Sequence, residues 1–113
     1  MSNLFSRLFF RKRVFARNAA RHTCRIEGDL ILVDSGVVYS GQVQNLSLGG
    51  AMFRPRLAYL LNRRGTPARL RIGDRTIAGT IVSTTPSGFG ISFASALDEA
   101  ALDQILAHDQ TPA

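Results

Sequence analysis

Tryptophan is absent from this chain, cysteine occurs once, and no run approaches the roughly 18–20 apolar residues that a membrane-crossing helix requires. The single Cys24 excludes an internal disulfide and argues for a reducing compartment. In Met1–Arg13 the charges follow a short apolar stretch, whereas a secretory leader puts its charges first and carries a longer apolar region. The expected location is therefore the cytoplasm. Acidic residues are also missing from positions 1–25, a segment that carries Arg7, Arg11, Lys12, Arg13, Arg17, Arg21 and Arg25. Those are 7 of 14 basic residues, leaving 7 against 8 acids in the remainder of a chain whose formal charge is +6. The excess is a local device, and it points to an anionic partner: nucleotide, nucleic acid or membrane surface.

Signatures of catalysis are lacking as well. There is no Gly-x-Ser-x-Gly elbow, P-loop or dinucleotide fingerprint. His22 and His108 are far apart, and no Cys/His spacing suits zinc. His22 and Cys24 share the apolar face of a strand pattern, where core packing explains both. Asp98, Glu99, Asp103 and Asp109 cluster on or just after a C-terminal helix and read as its polar face. The expectation is a binding protein, not an enzyme, with no metal and no cofactor.

What is present is a β pattern. The 113 residues, 45% of them hydrophobic, suffice for one domain with one core. Residues 1–19 read as a basic N-terminal arm. Within it Leu4, Phe5, Leu8 and Phe9 lie at helical spacing, consistent with a short helix at 3–10. That segment could pack on the domain or make a peripheral membrane or partner contact. Strand-like alternation begins near Ala20 and returns at Val37–Gln44, Ala51–Phe53, Ala68–Ile72, Thr76–Ser83 and Phe89–Phe93. Glu27-Gly28-Asp29 reads as a turn or bulge, and Gly73-Asp74-Arg75 as a hairpin turn. Arg54–Gly65 reads as a connection with a helical turn at Leu57–Leu61. Leu97, Ala101 and Ile105 form one apolar stripe of a helix at about 96–108. The expected architecture is mainly β: a six-stranded antiparallel barrel over residues 20–109 with a C-terminal helix, closed so that no strand edge is exposed.

Two constellations carry chemistry. Asn45-Leu46-Ser47-Leu48-Gly49-Gly50 puts an amide and a hydroxyl two residues apart, able to read a base edge, before paired glycines that permit positive φ and close backbone approach. By residue type alone it is first a turn between strands. Arg13 and Arg17 present two planar guanidinium forks suited to phosphate oxygens and to guanine O6 and N7. Alone, an Arg-x-x-x-Arg spacing also fits a solvated basic tail.

Together, Arg13-Val14-Phe15-Ala16-Arg17 and Asn45-Leu46-Ser47-Leu48-Gly49-Gly50, with Gly88-Phe89-Gly90-Ile91-Ser92-Phe93 and the helix after it, resemble the PilZ family over about residues 11–107. That resemblance implies a six-stranded barrel binding the bacterial second messenger cyclic di-GMP. It implies that Arg13 and Arg17 contact phosphates and guanines, that Asn45 and Ser47 hydrogen-bond from the barrel side, and that Gly50 allows close approach. Arg17 and Arg21 also fit the spacing, but Arg21 already lies in the alternating strand. In that family a basic residue at the position of Lys12 accompanies a stacked ligand dimer. The function implied is a receptor whose arm changes conformation on ligand binding and signals through contacts with a downstream protein. The rivals are a small basic barrel binding single-stranded nucleic acid, which the lack of aromatics among the exposed basic residues disfavours, and a ligand-independent interaction module.

Overall fold

Strand alternation organises the molecule. The computed structural model describes residues 20–57 and 61–111. Six antiparallel strands follow in order: β1 (His22–Leu32), β2 (Val38–Leu46), β3 (Gly50–Pro55), β4 (Pro67–Ile72), β5 (Arg75–Thr85) and β6 (Gly88–Phe93). They close in the order β1-β2-β3-β6-β5-β4, with β4 pairing back onto β1. Closure leaves no sheet edge to be blunted. Among the described residues one helix, α1 (Glu99–Leu106), follows β6.

The inward positions fill one core. Ile26, Leu30, Val43, Leu46, Phe53 and Phe89 have no solvent exposure, and Leu102 and Ile105 of α1 join the same cluster. Each such side chain contributes roughly 1.5–3 kcal/mol by leaving water. Asp98 caps α1, accepting a hydrogen bond from the Ala101 amide at 2.7 Å, so the helix starts at Glu99, later than the apolar stripe suggests. Asp98 thereby satisfies an amide that the first helical turn leaves without a partner.

The two barrel ends are finished differently. At the end holding the β4–β5 hairpin and the β2–β3 turn, α1 packs against the core. Leu97 donates its amide to Leu48 O and Gln110 donates to Arg25 O. The hairpin turns in two residues because Gly73 takes φ +58° while Asp74 does not, the geometry in which glycine leads. At the opposite end the chain leaving β3 must cross to β4, three strands away in either direction around the barrel. Arg63 crosses there, donating its amide to Thr84 Oγ1 and its guanidinium to Tyr39 OH, and the Tyr39 ring packs on Phe89 at 5.6 Å.

Two expectations change. Glu27-Gly28-Asp29 is no turn: these residues pair in unbroken register with Gln42, Gly41 and Ser40. Glycine is required at this crossing for packing, since a Cβ on Gly28 would lie 2.8 Å from Arg71 O and one on Gly41 2.1 Å from Arg54 O. Arg54 and Pro55 belong to β3, with Pro55 at the strand terminus, where a missing N–H is tolerated. The short helix at 3–10 lies outside the described residues, and the turn at Leu57–Leu61 falls mostly outside them.

Cys24 faces this core at 5% exposure, its thiol 3.6 Å from Val43 O. Burial, with Asp109 adding to it, pushes the thiol up from 9.0 to about 11. The folded state therefore holds the neutral thiol, while the unfolded chain ionises near 9.0. The stability that this preference contributes is complete below that pH and is lost as pH rises toward about 11. Native protein should resist a thiol reagent at pH 8 and react only on unfolding. Urea midpoints should fall more steeply between pH 9 and 11 for the wild type than for Cys24→Ala; parallel declines would refute the linkage.

Candidate functional site

The site begins with one extra residue. Val43 faces the core opposite Ile26 and Phe53, so strict alternation along β2 would send Asn45 inward as well. Between Val43 and Asn45 the register slips: Val43 pairs with Phe53 and Asn45 with Met52, leaving Gln44 unpaired. A bulge of this kind reverses which face the following residues present. Leu46 now fills the core with no exposure, and Asn45 and Ser47 on either side of it are half-buried. Asn45 sits between outward Thr23 of β1 and outward Met52 of β3.

The turn after Asn45 is tightly tied. Ser47 donates its amide to Gly50 O at 2.9 Å, and its hydroxyl reaches the same oxygen at 3.3 Å. Phe93 donates to Gly49 O, and Leu97 to Leu48 O, so the turn is anchored to β6 and to the approach to α1. Leu48 packs on the core as a plug beneath the motif. Neither Gly49 nor Gly50 uses positive φ, contrary to one reason offered for them. Gly50 is small because β6 crosses it: an added Cβ would lie 2.3 Å from Ile91 O. The same closeness keeps the backbone of the motif uncovered by any side chain of its own.

Beside the motif, the outer face of the sheet is a balanced polar surface. Asp29 accepts from Arg71 at 2.6 Å and from Ser40 at 2.9 Å, and these partners hold its carboxyl below the usual carboxylate range. Glu27 accepts from Arg56 and from Gln42. These pairs are exposed, and each is worth at most about 1 kcal/mol. Their consequence is electrostatic: two barrel arginines are already compensated and add little to any anion site.

Of the residues singled out by sequence, Asn45, Ser47 and Gly50 lie within a six-residue stretch around the β2–β3 turn. Lys12, Arg13 and Arg17 lie outside the described residues. Phe89 and Phe93 are buried and offer no platform for stacking bases. Among the described residues no group of His, Cys, Asp or Glu converges as metal ligands, and no helix is long and apolar enough to cross a membrane. Sequence reading missed Gln42, Gln44 and Arg54, which share the outer surface of β2 and β3 with Asn45. Outward alternation marked both glutamines, but Arg54 was assigned to a connection.

Comparison with known proteins identifies the family and the fold. The family model described as the PilZ domain matches residues 11–108. The fold is similar to the crystal structure of the PilZ domain of CeSA from a cellulose-synthesizing bacterium, with a TM-score of 0.57 and 16% identity, covering 79% of this chain and 92% of that one. No curated protein matches significantly.

The bulge has a measurable role. Deleting Gln44 removes the extra residue, so Val43, Asn45 and Leu46 alternate in, out and in without a bulge. The deletion should therefore cost less than Leu46→Ala, which empties a fully buried position at about 2–5 kcal/mol. Gln44→Ala keeps the residue count and should cost less than about 0.5 kcal/mol. Urea denaturation orders the three variants, and a deletion as costly as Leu46→Ala would show that the core depends on the slip itself and not on the residue count.

Proposed function

The chain belongs to the PilZ domain family, a family of cyclic di-GMP receptors, and on that premise we propose that it is itself a cytoplasmic receptor for this dinucleotide. PilZ domains generally act as binding modules without catalysis. The observation that carries the proposal is the pairing of an outward-turned Asn45-x-Ser47 step, fixed on a closed barrel, with a family match that begins at residue 11 and so takes in Arg13 and Arg17. The ligand is dianionic and bears two guanines. Asn45 and Ser47 hydrogen-bond it from the barrel, beside the bare backbone of Gly50. Arg13 and Arg17 grip phosphate oxygens and guanine edges from the arm. Lys12 favours a stacked pair of ligands.

The Ser47 hydroxyl is not idle in the free protein, since it reaches Gly50 O at 3.3 Å. That bond is long for a hydroxyl donor and therefore weak. Exchanging it for a charge-assisted bond to phosphate is favourable. In the receptor mechanism, ligand held between arm and barrel orders residues 10–20, buries the two arginines and alters the surface offered to a downstream protein. Signalling then proceeds by contact, with no covalent step.

Isothermal titration of the purified chain with cyclic di-GMP tests the proposal directly. Binding heat is expected. Arg13→Ala, Arg17→Ala and Ser47→Ala should each weaken binding about tenfold or more, because a hydrogen bond to a charged group contributes roughly 1.5–3 kcal/mol and about 1.4 kcal/mol is a factor of ten. Arg21→Ala should bind within about twofold of wild type. Absence of heat from a barrel that circular dichroism finds folded would overturn the receptor reading, and a severe loss confined to Arg21→Ala would shift the arginine register.

A further inference from the structure

Next to the motif, on the outer face of β2 and β3, lies a groove of about 350 Å³ lined by Gly41, Gln42, Gln44, Arg54, Pro55 and Arg56. Its volume is at the small end of ligand pockets, suited to one base rather than a whole dinucleotide. Gly41 leaves its floor without a side chain, because the Arg54 carbonyl occupies the place a Cβ would take. Gln42 and Arg54 are direct cross-strand partners over that floor. Arg54 stands two residues from Met52, the partner of Asn45, which at about 3.4 Å per residue is close to 7 Å along the strand. An arginine side chain spans that distance.

The donors and acceptors around the groove are specifically oriented. Gln42 spends its Nε2 on Glu27 Oε2 at 2.7 Å, which turns its Oε1 away as a fixed acceptor. Glu27 also engages Arg56, so the positive charge of Arg56 is compensated. Arg54 is exposed, and among the described residues its guanidinium has no carboxylate partner. The groove therefore offers one uncompensated planar donor fork and one positioned amide acceptor. A phosphate has only acceptor oxygens and no use for the glutamine carbonyl. Guanine has both complements on adjoining edges: O6 and N7 accept from an arginine fork, while N1–H and the N2 amine donate.

We propose that Arg54 and Gln42 form a barrel-side guanine-reading subsite that selects the base of the ligand, separate from the Arg13/Arg17 arm. Arg54 pairs with O6 and N7, and Gln42 Oε1 accepts from N1–H. This inference rests on the cyclic di-GMP reading, which it deepens by assigning base selectivity to a rigid part of the molecule. Adenine carries an amine where guanine carries O6, so it would set donor against donor at Arg54.

The test is titration of the full chain with cyclic di-GMP and, by competition, with cyclic di-AMP. Arg54→Ala should raise the Kd for cyclic di-GMP about tenfold or more, the loss expected for one bidentate base contact. Gln42→Ala should raise it about threefold, as a single neutral hydrogen bond would. Arg69→Ala, an exposed arginine on β4, is the control and should stay within about twofold, the small effect of a distant charge at ordinary salt. In Arg54→Ala the preference for the guanine over the adenine dinucleotide should shrink by about tenfold, the same contact read as discrimination. Wild-type binding with an unchanged Arg54→Ala overturns the subsite while leaving the receptor reading intact. Equal losses for both dinucleotides also overturn it, reducing Arg54 to charge attraction. Failure of the wild type to bind cyclic di-GMP overturns the receptor reading, and the subsite falls with it.

Discussion

The unpaired Gln44 is the constraint on which the outer surface of this barrel depends. A six-stranded barrel this small has no freedom in what fills it: Ile26, Val43, Leu46, Phe53 and Phe89 are all fully enclosed. Had β2 kept a strict two-residue period through Val43, an asparagine would have entered that core and a leucine left it. Either change alone is costly, since an amide without partners in an apolar interior is destabilising. The bulge resolves the conflict between core and motif by a local slip. It also adds twist at the point where β2 leaves the barrel to make the β2–β3 turn.

Similar slips occur elsewhere for a related reason. On β5 the register shifts between Ile81 and Ser83, and the extra residue, Val82, is pushed out to 47% exposure. On β1 it shifts between Thr23 and Ile26, opposite the β2 bulge. Long strands on a tightly curved barrel accumulate more residues than their shorter neighbours can match, and β1 and β5 are the longest, at 11 residues each. The bulges absorb that surplus. The β1 and β2 bulges lie beside Asn45, so there curvature, an architectural requirement, and display of the motif are met by one feature.

The fold was legible in the chain because its period and its turns agree. Alternation located six strands, Gly73-Asp74-Arg75 marked a hairpin turn, and the shift to a four-residue spacing at Leu97 announced α1. What stayed hidden was anything set by long-range partners. Gly28 looked like a turn because glycine-aspartate is turn chemistry, yet its smallness answers to Arg71 O across the β1–β4 pair. Gly50 looked like an opening for a ligand, and it is at least equally a crossing point for β6. Arg54 was invisible as a surface residue because Pro55 follows it, and proline argues against a strand unless the strand ends there. The motif residues themselves were legible as chemistry, whereas the face they present depended on a bulge that periodicity cannot reveal.

Charge is divided between the two parts of the molecule in a way that suits a receptor. From residue 20 onward there are 9 basic and 8 acidic residues, and at least Arg56 and Arg71 are paired to carboxylates on the barrel surface. Residues 1–19 carry five positive charges and no negative one. The barrel is therefore close to neutral and exerts little net pull on the arm, while the arm's own charges repel one another. In the proposed complex, a dianion bound at the edge of the barrel supplies the negative charge that the arm lacks. Its phosphates attract the arm, and its guanines meet fixed donors and acceptors on β2 and β3. In the proposed complex, attraction and selectivity thus come from different segments. The arm provides affinity that falls with salt, as exposed ion pairs do. The barrel provides discrimination that salt affects far less, because hydrogen bonds fixed by a closed sheet depend on geometry more than on net charge.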